Sequence, residues 1–238
     1  DIGALVVGGN AIIDNTITLT ASLEVTGTTA INTTTITTTG TQTYGDTTGT
    51  DTITFGSNAV LSGTTIAFNA PVTGAGNNLT VTGNAVFGNE GTDTVTGAAV
   101  LQVTGTTAIN TTEITTTGTQ TYTGDVTLGA DAVLTGTLVT FTGQILGVTN
   151  DLSIVGDAEC NDPVSNIGAF YINGDADIND TITGTASLEV TGAAAINTTT
   201  ITTTGTQTYG GNVTLAADST LTANNAGTAQ TVTFNEDV

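Results

Sequence analysis

The chain of 238 residues contains no lysine, no arginine and no histidine, against 21 aspartates and glutamates. An ordinary soluble domain carries charges of both signs on about a quarter of its residues. Without His there is no imidazole for acid–base or metal work. Without Lys there is no Schiff base, and without Arg no guanidinium fork for phosphate. Nucleic acid is excluded as a partner, because its binding rests on cations that neutralise phosphates and a chain of net charge −21 is repelled. A basic contact with an anionic membrane is excluded for the same reason.

Other absences narrow the class. There is no Trp and no Met, and only four Tyr and six Phe. No run of 18 apolar residues is present, so no helix of the chain spans a bilayer, and no signal-peptide pattern stands at its start. The first residue is Asp1 rather than Met, which fits exposure by processing or by trimming of a longer chain. Cys160 is the single cysteine, which rules out an intramolecular disulfide. It is either a small buried thiol or, in an exported protein, a bridge to a neighbouring subunit.

What is there points to strands. Thr occurs 62 times and Gly 31 times. The β-branched residues suit a pleated surface, and Gly and Asn supply turns. Good helix formers are missing or scarce. Mean hydropathy is slightly positive at +0.21, too apolar for an acidic disordered tail. The expected class is all-β.

The strongest signal is internal repetition. Residues 21–44 read ASLEVTGTTAINTTTITTTGTQTY; residues 99–122 match them at 21 of 24 positions and residues 186–209 at 22 of 24, with successive spacings of 78 and 87 between the three segments. The opening DIGALVVGGNAIIDNTITLT also aligns without a gap to NIGAFYINGDADINDTITGT at 166–185. A period near 78 suits either tandem β-sandwich domains or four coils of about 19–20 residues in a solenoid. The solenoid is favoured. Short strands ending at Gly, Asn or Asp recur more closely than the long period, and aromatics are too few for a thick sandwich core. The expectation is one continuous parallel right-handed β-helix (β-solenoid) over residues 1–238. The near-identical segments then occupy equivalent places, with Ile36, Ile114 and Ile201 buried, and the nine extra residues of the second spacing form a loop around Pro163 to Phe170. Alternation in stretches such as Thr52-Ile53-Thr54 points Ile53, Val81 and Val95 inward and stacks Thr over Thr outside. Asn32, Asn110 and Asn197 either form an amide ladder or turn the chain.

The runs INTTTITTTGTQTYGGNVTLAADSTLTA at 196–223 and TTGTQTYTGDVTLGADAVLTG at 116–136 resemble the β-strand repeats of bacterial surface exoproteins of the filamentous-haemagglutinin-like and autotransporter-like kind. The resemblance implies a right-handed parallel β-helix, export, and a structural or adhesive role. It brings no catalytic residues with it. Such exoproteins usually carry some Lys and Arg, which this chain lacks.

Carboxylates are the only strong functional groups left. Asp157, Glu159 and Asp162 form one cluster and Asp175, Asp177 and Asp180 another. An acid-x-acid pair on a strand, as at Asp157 and Glu159 or Asp175 and Asp177, lies on one face, the arrangement that suits Ca²⁺ with its oxygen ligands; the alternative is solvated loop acids. No EF-hand loop or GGxGxD nonapeptide is present. Glycoside hydrolysis by paired acids is disfavoured without Arg, Lys, His or Trp to hold a sugar. The expected role is therefore not enzymatic. It is an extracellular or cell-surface structural subunit that pairs end to end with copies of itself in a filament, sheath or matrix. The alternative is the stalk or binding module of a large adhesin facing a host or neighbouring cell, and Thr arrays that order ice are a weaker reading.

Overall fold

A computed structural model describes residues 3–19, 21–46, 50–89, 92–216 and 218–238. Short strands, most of three to five residues, alternate inward apolar and outward polar side chains and are joined at corners, which a few longer strands such as Ala132–Phe141 run through. Successive strands lie on three faces, so that three of them make a turn. Face A starts with Leu5–Val7, Leu23–Val25 and Gln42–Tyr44; face B with Ala11–Ile13, Thr29–Ile31 and Ile53–Phe55; face C with Ile17–Leu19 and Thr35–Thr38. The result is a β-solenoid of about 11 turns with roughly 19 residues per turn. Tandem sandwiches are excluded, because every strand of the stack pairs in parallel with the coil before or after it. The one antiparallel pair among the described residues joins Asn224 and Asn225 to Ala229 and Thr228 in a small hairpin near the C-terminal end.

The core is a narrow triangular prism. Ile36, Ile114 and Ile201 are fully buried, as are Ile53 and Val81, and Val95 is nearly so. Thr stacks on Thr along the outside, as at Thr54, Thr73 and Thr96 and at Thr202 and Thr222. The few aromatics form ladders along the axis. Tyr44 stacks on Phe68 at 6.0 Å and Phe68 on Phe87 at 5.3 Å. Tyr122 stacks on Phe141 and Tyr209 on Phe234 in the same way. Each such pair contributes about 0.5–1.5 kcal/mol beyond its buried area.

Two expectations about the repeat are corrected by the register. The LEV strand of the first copy, at Leu23–Val25, lies on face A. Its counterpart Leu101–Val103 lies on face C, and Ser187–Val190 lies on face B. Each copy is thus turned by one face relative to the one before, and neither spacing is a whole number of coils. The long corners of the first unit explain the difference. Among the described residues, the strand after Tyr44 begins at Ile53 and the strand after Phe87 at Thr94. The second unit has shorter connections and holds one turn more. Its nine extra residues make no loop near Pro163, since Val164–Ser165 is a face A strand and Ala169–Asn173 a face B strand.

Candidate functional site

Each repeat carries a buried polar lock that parity alone makes visible. In Gln120-Thr121-Tyr122 the Thr points outward, so Gln and Tyr both point into the core, and both are fully buried. The Gln120 amide nitrogen donates to the Ile114 carbonyl at 3.0 Å, across the preceding corner, and to the Thr135 carbonyl of the next coil at 2.8 Å. The Tyr122 hydroxyl donates to the Gln120 Oε1 at 2.8 Å. Gln42 with Tyr44 and Gln207 with Tyr209 repeat the arrangement on the other faces. A buried amide satisfied in this way fixes the corner and the stacking of two coils together. Desolvation raises the Tyr44, Tyr122 and Tyr209 hydroxyls above their ordinary value.

Asp and Asn perform a second locking task at the corners. Asp157 Oδ1 accepts from the Asp175 N–H at 2.9 Å, and Asp175 Oδ1 accepts from the Ala193 N–H at 2.8 Å. Asn10, Asn84, Asp131 and Asp151 accept main-chain N–H groups of the following coil in the same manner. Asp157 and Asp175, two of the four residues singled out for Ca²⁺, are therefore already bonded along the axis. Glu159 and Asp177 stand side by side on face C, where Glu159 accepts from Thr140 and Asn161. Among the described residues no group of three or more acidic or cysteine side chains is placed to hold a metal ion.

The Asn residues divide between the two roles weighed for them. Asn197 donates to Asn179 at 2.6 Å and Asn179 to Asn161 at 2.7 Å, a true amide ladder. Asn32 donates instead to Asp14, and Asn110 to the Gly88 carbonyl. Cys160 points into the core between Phe141 and Ile178 and is 1 % exposed. Burial, and then the adjacent Glu159 carboxylate, push its thiol up to about 12. Bridging to another subunit would require the coil to open; the buried-thiol reading describes this position.

The outer surface separates charge from faces. Glu24, Glu159, Asp177 and Glu189 point outward from within strands and Glu113 from the first position of its strand, and the other described carboxylates sit at corners. Face A carries only Glu24 of these. Along it the outward residues from the third coil onward are Thr43, Ala67, Val86, Ala108, Thr127, Leu146, Ser165, Thr183, Thr202 and Thr222. Comparison with protein-family models, curated proteins and solved structures finds no match for this chain.

Proposed function

We propose that the protein is a structural rod, an extracellular β-solenoid unit that builds a cell-surface filament, sheath or matrix. The observation that carries this reading is where the polar chemistry goes. The Gln–Tyr pairs, the Asn ladder and the corner carboxylates Asp131, Asp151, Asp157 and Asp175 hold one coil on the next. A parallel ladder of this kind is extended by any further coil of the same kind, which is how copies would join end to end. Composition supports an outside location. A chain without Lys or Arg offers no trypsin-type cleavage site, and a single buried thiol is indifferent to an oxidising medium. The resemblance to exported surface-protein repeats agrees with this.

Negative-stain microscopy of the purified chain tests the proposal. Fibres much longer than one rod, which is roughly 50–55 Å for eleven coils at ~4.8 Å, are the expected result. Isolated rods of unit length at high protein concentration would count against self-assembly and in favour of the stalk of an adhesin.

A further inference from the structure

Two copies of this protein approach each other against 21 negative charges each, with no cationic side chain on either. Salt screens such repulsion only beyond about 8–10 Å, so close contact requires surface without charge. Face B is interrupted by Glu113 at the start of its strand and by Glu189, and face C by Glu159 and Asp177. Face A from Thr43 to Thr222 has no charged residue at any strand centre. We propose that face A is a lateral docking surface for a second copy of this chain, two rods packing neutral face against neutral face with their carboxylates held out at the corners.

The geometry suits such a contact. A parallel stack in register presents one outward residue per coil on a flat surface, here small, β-branched or hydroxylated side chains with Val86 and Leu146 as the larger apolar ones. Thr hydroxyls both donate and accept, so an identical surface can pair with itself. Its size sets the strength. Ten coils at ~4.8 Å and a strand width of about 10 Å give roughly 500 Å² per copy, or about 1,000 Å² in total, the lower edge of specific interfaces. Single chains therefore associate weakly, and rods joined into longer ones associate far more firmly because the strip lengthens. This sideways contact extends the reading of a structural rod and does not depend on how rod ends join.

The turn of one face between repeats supplies matched controls. Ala108 and Ala30 are equivalent residues of two copies, the first on face A and the second on face B. Thr202 and Thr37 are equivalent in the same way, on face A and face C. A variant with Ala108→Glu and Thr202→Glu and a variant with Ala30→Glu and Thr37→Glu have the same composition and net charge. Sedimentation velocity measures association at physiological salt, with micrographs scored for width separately from length and thermal melts confirming the fold. The face A pair should weaken lateral association about tenfold or more, while the control pair leaves it near wild type. Equal losses in both variants would overturn the assignment of face A, as would a wild-type chain that stays one rod wide at the highest soluble concentration. Loss of width with length retained separates this proposal from the failure of end-to-end assembly.

Discussion

At the scale of single residues, the rod depends on a few buried polar groups whose satisfaction differs from site to site. Gln120 meets two carbonyls and a tyrosine hydroxyl inside an apolar prism, so replacing it takes these bonds from the Ile114 carbonyl and the Tyr122 hydroxyl and leaves the Thr135 carbonyl only the Thr116 hydroxyl at 3.3 Å. Gln120→Leu is expected to cost about 2–4 kcal/mol, read as a lower denaturation midpoint. Adding Tyr122→Phe should recover part of the loss, because one orphaned hydroxyl disappears; a double variant worse than the single would refute the lock. Thr107 is the opposite case. Its hydroxyl is buried and has no partner, whereas Thr29 in the first copy donates to the Gly27 carbonyl and the third copy has Ala194. Thr107→Val should raise stability by about 1 kcal/mol, and a fall in the midpoint would show that the hydroxyl is in use. The sequence held a signal for the Gln–Tyr lock in the parity of Gln-Thr-Tyr, where an outward Thr forces both neighbours inward. Composition hid it, since Gln reads as a surface residue until the strand is placed.

At the scale of the coil, alternation over three to five residues marked strands and inward positions well, because a period of two survives changes in corner length. The placement of whole repeats on faces was not legible. A coil spans 18 residues at one corner and 24 at another, and the pattern inside a strand is the same on all three faces, so counting residues cannot tell a whole turn from a fraction of one. The Ca²⁺ and ladder readings were limited in a related way: spacing put acids and amides on one side of a strand, but which of them meet main-chain N–H groups depends on the next coil. Corners also contain the tightest backbone contacts. Gly156 has φ +132, and a Cβ there would lie 1.9 Å from the Gly136 carbonyl oxygen of the adjacent coil. Gly156→Ala is expected to destabilise by about 3 kcal/mol or more, by backbone strain and by prying two coils apart. Gly8, with nothing within 4 Å of its Cβ position, is the control, and Gly8→Ala should change the midpoint little. Equal effects at the two positions would contradict the close stacking at this corner.

For the whole molecule, one consequence of so narrow a core is that its buried tyrosines and its cysteine titrate late on the alkaline side. Tyr44, Tyr122 and Tyr209 are held protonated in the folded rod above their ordinary value of 10.0, and Cys160 is pushed from 9.0 to about 12, in every case chiefly by desolvation. Below pH 9 the folded and unfolded states both keep these protons, so the groups add no pH dependence. As pH rises through 9 and then 10, the unfolded chain releases first the thiol proton and then the phenolic protons, while the folded rod cannot. Stability must therefore fall with rising pH, by about 1.4 kcal/mol per pH unit for each group that has begun to titrate in the unfolded state. Four groups together remove roughly 5–7 kcal/mol between pH 9 and 11, comparable to the whole stability of an ordinary domain. The thermal midpoint should be level from pH 7 to about 9 and then drop steeply. Cys160→Ala, although less stable throughout because of the cavity it leaves beside Phe141, should move the start of that drop from near 9 to near 10. A midpoint that stays level to pH 11 would mean that the folded rod releases these protons as readily as the unfolded chain, and that the three tyrosines are not sealed in its core.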